Sequence, residues 1–296
     1  MLFCERTSGS EEISARSGYA AVFRPGLRAY VVRSEGIRFD TALQPRFFEA
    51  IAPDAPTKLS ILLGGHLVLH GNARGISLAP GDYQFHGRGW SERWEGPGFR
   101  VLVIEWDRDF GAAGDGGGGR LSPTDRAEVT RLADQLERRL PNELAACVFT
   151  THLFARLRAI GLPLERLSAT RLHAAMPAGV VPIAHAVTSV MRDLRRRPSW
   201  VDVEQPLERD ARSLRRLTPG HAAWLAPLGW PTQWRRRLRA LRLITAMRLL
   251  GSKNATVEMV AAASGYGSAR ALHLALHQES LPTPGSIRAF YRGQSI

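Results

Sequence analysis

The stretch Thr256-Val257-Glu258-Met259-Val260-Ala261-Ala262-Ala263-Ser264-Gly265-Tyr266-Gly267-Ser268-Ala269-Arg270-Ala271-Leu272-His273-Leu274-Ala275-Leu276 decides the reading of this chain. Apolar Val257, Val260 and Ala261 recur at helical spacing, and so do Leu272, Ala275 and Leu276. Ser264-Gly265-Tyr266-Gly267 separates the two runs. The spacing predicts two short helices, from Thr256 to Ala263 and from Ser268 to Glu279, joined by a glycine turn as in a helix-turn-helix. If the second helix reads DNA, Ser268, Ala269, Arg270 and His273 form its outward face. Arg270 can donate two hydrogen bonds to a guanine edge and His273 one, while Ala269 suits apolar contact with a thymine methyl.

Upstream, Gln233 to Leu250 is the longest uninterrupted helical pattern, with Leu238, Leu241, Ile244, Met247 and Leu249 apolar and Gly251 stopping it. Arg235, Arg236, Arg237 and Arg239 on this helix suit contact with phosphates or acidic partners better than with bases. Further upstream, Ile183, Val187, Val190, Met191 and Leu194 define another helical face, which ends at Arg195-Arg196-Arg197-Pro198.

Charge separates the chain into two parts. Its 296 residues carry a net charge of +13, and only Lys58 and Lys253 among the basic residues are lysines. Residues 181–296 hold +11 of that charge and the remainder only +2. A near-neutral first part joined to a strongly basic last part is the electrostatic footprint of a sensor or oligomerisation unit attached to a nucleic-acid-binding unit. At 44% apolar and 23% charged residues, disorder and a collagen-like fibre are excluded. No membrane span or signal peptide is recognisable, so a cytoplasmic protein without membrane contact is expected. The two cysteines, Cys4 and Cys147, cannot build a four-thiolate zinc site, which also disfavours a DNA-repair methyl acceptor.

From Tyr19 to Phe110 the pattern is short strands and turns, which argues a sandwich or small barrel. Gly64-Gly65 between two apolar runs predicts a two-residue hairpin, and Ala79-Pro80-Gly81-Asp82 a type II turn. The glycine-rich run 111–119 reads as a flexible boundary. Beyond it, Val129, Leu132, Leu136 and Leu140, then Leu144, Val148, Leu153, Leu157 and Ile160, predict a helical hairpin. Leu132, Leu136, Leu153 and Leu157 would serve either a homodimer face or packing onto the chain's own sheet. A cupin-type enzyme is the competing reading, with His66, His70, His86 and Glu105 as metal candidates, but the H-x-H pair and nearby glutamate of metal-binding cupins are absent. Nucleophile elbow, phosphate loop and dinucleotide fingerprint are absent too, so no cofactor is expected. Trp90, Trp94 and Trp106 read as core more readily than as a ligand pocket.

Arg242-Leu243-Ile244-Thr245-Ala246-Met247-Arg248-Leu249-Leu250 resembles the R-L-x-x-A-x-x-L-L linker helix of AraC/XylS-type transcription regulators. Residues 256–268 resemble that family's second helix-turn-helix, and Pro284 to Arg288 its closing P-x-x-x-R element. The resemblance implies an α+β protein: a cupin-like sensor domain at 1–115 (a β-sandwich or barrel), a helical hairpin at 120–175 and an all-α DNA-binding domain with two helix-turn-helix units at 181–296. It further implies double-stranded DNA, a small-molecule effector, a homodimer and RNA polymerase as partners, and no catalysis. Its first unit falls between Pro198 and Arg242, with Asp210 capping a recognition helix that presents Arg212, Arg215 and Arg216. That unit departs from the family: Glu204 replaces a small residue, and Pro206, Pro219, Gly220, Pro227, Gly229 and Pro231 interrupt it. In the second unit Leu281 replaces a glycine, and Leu272 and Leu276 replace phenylalanines.

Overall fold

The computed structural model describes residues 2–10, 15–35, 39–40, 57–70, 75–86, 90–106, 117–138, 143–162, 179–205, 219–225 and 233–292. Its strands are β1 (Leu2–Ser10), β2 (Ala15–Arg24), β3 (Leu27–Glu35), β4 (Phe39–Asp40), β5 (Thr57–His70), β6 (Gly75–Leu78), β7 (Asp82–His86), β8 (Ser91–Trp106) and β9 (Gly118–Arg120). The helices are α1 (Pro123–Glu137), α2 (Glu143–Ala159), α3 (Val180–Arg192), α4 (Trp200–Glu204), α5 (Pro219–Leu225), α6 (Trp234–Leu250), α7 (Val257–Ala263), α8 (Ala269–Gln278) and α9 (Pro284–Tyr291). Strands precede helices along the chain, so the expected α+β class holds.

All nine strands join one antiparallel sheet in the order β1-β2-β3-β8-β5-β7-β9, with β4 on β8 and β6 on β5. The long strands β5 and β8 run side by side and belong to both halves of the sheet. This corrects the hairpin expected at Gly64-Gly65. The two glycines lie inside β5, where the register against β8 shifts between Leu62 and His66. Gly65 takes φ +83°, and a Cβ there would come within 2.2 Å of the Gly98 carbonyl oxygen. The same pair that could close a hairpin thus forms an irregularity that lets one strand pack closely against another. The turn at Pro80-Gly81 is as expected: Asp82 N–H donates to the Ala79 carbonyl at 2.9 Å, with Gly81 at φ +98°.

The glycine-rich boundary also needs correction at its end. Gly118–Arg120 pairs with β7 as an edge strand. A side chain at Gly118 would lie 2.2 Å from Gln84 Oε1, so the glycine admits a close crossing.

Alternation gives the sheet two apolar faces. Val22, Val31, Leu59, Ile61, Leu102 and Ile104 face the α1–α2 hairpin, where Val129, Leu132, Leu136, Leu153 and Leu157 meet them. The four leucines named for a dimer face are each 0% exposed, so the hairpin packs onto its own sheet and these side chains cannot reach a second copy. Fully burying each contributes about 1.5 to 3 kcal/mol, reason enough for the hairpin to close inward. Arg100 pins the hairpin from the sheet side, pairing with Asp134 at 2.6 Å and with Glu137.

In the basic region Phe23 of β2 joins a cluster with Val180, Ile183 and Val187 of α3, Trp224 of α5 and Trp234 of α6. Pro219 and Gly220, expected only to interrupt, open the short helix α5, whose Trp224 and Leu225 are buried. A proline in the first turn needs no N–H partner, which reconciles the two. As Pro206 leads one to expect, α4 is short and ends at Glu204. No helix among the described residues is long and apolar enough to cross a membrane.

Candidate nucleic-acid interface

The α7-turn-α8 pair is locally determined at both ends. Thr256 caps α7 by accepting from Met259 N–H at 3.2 Å, and Ser268 caps α8 by accepting from Ala271 N–H at 3.2 Å. Helix α7 closes with two bonds typical of a left-handed glycine stop: Tyr266 N–H to the Ala261 carbonyl at 2.8 Å and Gly265 N–H to that of Ala262 at 3.2 Å. Gly265 sits at φ +84°, and a Cβ there would lie 2.3 Å from the Leu194 carbonyl oxygen. The turn therefore rests on the backbone of Leu194. Helix α8 ends by the same pattern on other residues. Leu281 N–H donates to the Leu276 carbonyl and Ser280 N–H to that of His277, both at 2.9 Å. Ser280, at φ +54°, takes the left-handed place where glycine is favoured, and Leu281 is buried beside it.

The inward residues are as read from spacing: Val260, Ala261, Leu272, Ala275 and Leu276 are buried against α6 residues Leu243, Ala246, Met247 and Leu250. Arg270 and His273 are exposed, Ala269 is half-buried, and Ser268 is the cap at the turn. These four lie together at the start of α8. Leu274 shares their side and is 56% exposed. Its position four residues after Arg270 is the signal that places it there. Arg212, Arg215 and Arg216, with Asp210, lie outside the described residues.

Of the two partners expected for the α6 arginines, phosphate or acid, Arg239 has an acidic one within the chain: it binds the end of α8, donating to Gln278 Oε1 at 2.8 Å and pairing with Glu279 at 3.0 Å, and so holds the two helices together. Arg235 and Arg236 are exposed.

The other face of the sheet carries a buried polar cluster at Glu105. Its carboxylate accepts from Arg28 Nε at 2.9 Å and from Tyr30 OH at 2.6 Å, and Lys58 Nζ lies 3.5 Å away. Burial alone would raise this carboxyl, but the charges of Arg28 and Lys58 and the hydrogen bonds from Tyr30 and Arg28 outweigh it and hold it at about 2. Ser60 Oγ meets His86 Nε2 at 2.8 Å, and the His86 ring lies 6.0 Å from that of Trp90. Trp106 faces the opposite side, edge-on to Phe85. The metal candidates do not converge: His66 binds Ser77 Oγ at 2.7 Å, and His66 and His70 lie past the irregularity in β5, away from His86 and Glu105. Among the described residues no group of three His, Cys, Asp or Glu could hold a metal ion.

No protein-family model matches the chain. No curated protein matches it. Among solved structures the chain is similar to ToxT from Vibrio cholerae with unsaturated fatty acid bound, at 12% identity over 81% of this chain and 89% of that one, TM-score 0.34. It is also similar to the AraC-like transcriptional activator CuxR, at 13% identity over 79% of this chain and 83% of that one, TM-score 0.35.

Proposed function

We propose that the protein is a sequence-specific DNA-binding transcription regulator. The observation that carries this reading is the α7–α8 pair: a capped helix whose first turns present Arg270 and His273 to solvent, held by a glycine turn inside a region of net charge +11. Ser268, Ala269, Arg270 and His273 enter the major groove, with Arg270 on a guanine edge. Residues 181–296 are the DNA-binding unit, and Arg212, Arg215 and Arg216 are its second set of contacts. Residues 1–115 sense a small-molecule effector over the polar face at Glu105, Tyr30 and His86, supported on the other side by the hairpin within 120–175. A homodimer and RNA polymerase belong to the same reading through the sequence resemblance. Dimerisation uses a surface other than the buried leucines of the hairpin.

Selection of duplexes from a randomised pool by the full-length protein tests this directly. A retained consensus whose binding falls steeply with salt is expected, because neutralised phosphates release counterions. Retention of no duplex above background would refute it.

A further inference from the structure

Two arginines from distant parts of the chain meet on the turn of the helix-turn-helix. Arg197 follows the helical turn Leu194–Arg196 and takes φ +52°, a conformation that is costly for a residue with a Cβ. Its guanidinium lies on the backbone of Gly267: a Cβ built there would be 3.0 Å from one terminal nitrogen of Arg197 and 3.2 Å from the other. Arg242 comes from the middle of α6, and its Nε lies 3.1 Å from a Cβ built on Gly265. Neither arginine has a carboxylate partner among the described residues. The Nε of Arg242 and the hydroxyl of Tyr266, between the two glycines, are buried without a hydrogen-bond partner. Burial lowers the Arg242 guanidinium below its ordinary value, and the charge of Arg197 lowers it further. Arg239, on the same helix, is by contrast ion-paired with Glu279.

A buried donor without an acceptor calls for an explanation, and an anion drawn in from outside is one. Two guanidinium groups and a phenol, gathered where the chain enters α8, make a site for an oxyanion. We propose that Arg197, Arg242 and Tyr266 grip one phosphodiester of the duplex beside the groove that α8 enters. This deepens the DNA-binding reading and rests on it. Such a contact fixes the angle at which α8 meets the bases and is indifferent to sequence. The turn glycines keep the approach open, because a side chain at Gly267 would displace the guanidinium.

The test is a potassium chloride series of fluorescence anisotropy on a mixed-sequence duplex of about two helical turns. It compares the full chain with Arg197→Gln, Arg242→Gln and the double variant. The double variant should lower the slope of log affinity against log salt by about 0.9, the increment for one phosphate, and weaken all sequences alike. A slope unchanged in the double variant, or lowered by about twice that amount, overturns the shared site. Arg197 is exposed, so Arg197→Gln should keep the parental melting temperature and show part of the slope change even if Arg242→Gln folds poorly. If inorganic phosphate raises the melting temperature of the parent but not of Arg197→Gln while slopes stay equal, the site belongs to a free anion and the assignment to DNA fails. Absence of any duplex binding by the parent would instead strike the regulator reading itself.

Discussion

Arg270 and Ser280 occupy the two ends of the same helix and test different properties. Arg270 is exposed at the start of α8 and can make a bidentate contact. Arg270→Ala should cost about 1 to 3 kcal/mol on the preferred duplex and relax discrimination at one base pair, read from affinities for single-base variants of the site. Equal losses on all sequences would show that it touches only phosphate. Ser280 is held at φ +54° in the stop that follows α8, so Ser280→Gly should stabilise the fold by about 1 kcal/mol, seen as a higher denaturant midpoint at unchanged slope. Gly265→Ala should do the reverse and cost more, because the φ of +84° and the Leu194 carbonyl both exclude a methyl group. Leu281, where the family pattern has glycine, keeps its turn because the left-handed place falls one residue earlier, on Ser280. That shift could not be read from the loss of a glycine alone.

Among the elements, the helix-turn-helix and the α1–α2 hairpin were legible in the sequence because caps, apolar spacing and stop glycines act within a few residues. The strands were less so. Gly64-Gly65 and Gly117–Gly119 carry the local signature of a turn and a linker, yet pairing with β8 and β7, tens of residues away in sequence, decides their conformation. The candidate site divides in the same way. Arg270 and His273 follow from helical phase, whereas Arg197 and Arg242 come together only through the docking of residues 194–197 on the α7–α8 turn. For the hairpin, Leu136→Ala should lower stability by about 2 to 5 kcal/mol without changing the oligomeric state, measured by denaturation alongside sedimentation. The β3–β5–β8 cluster makes a pH prediction. Glu105 has its carboxyl held at about 2, so its stabilisation is complete above the unfolded carboxyl value, about 4.3, and is lost as pH falls from there through about 2. Glu105→Gln, which removes the carboxylate that Arg28 grips, should cost about 3 to 5 kcal/mol at neutral pH and remove that acid-side loss, as denaturant titrations at several pH values would show.

At the scale of the whole molecule, the β2–β3 hairpin joins the sheet to the basic helices. Phe23 stands directly across from Arg28 in the β2–β3 register, yet its ring belongs to the cluster of α3, α5 and α6. Beside it, the guanidinium carbon of Arg24 lies 5.8 Å from the centre of the Trp224 ring. One cross-strand pair therefore separates the side chain that grips Glu105 from the side chains that grip the helices. The consequence is optical: the molecule has a built-in fluorophore at the junction, with a cation over its indole. Disturbing the far side of that pair by Glu105→Gln should shift the emission of Trp224, obtained as the difference between spectra with and without Trp224→Phe. A spectrum indifferent to Glu105 would mean that the hairpin yields before it transmits. A shift would give a label-free gauge of how stiffly two chemically unlike regions are coupled, and any compound that displaces Arg28 could be titrated by the colour of one indole.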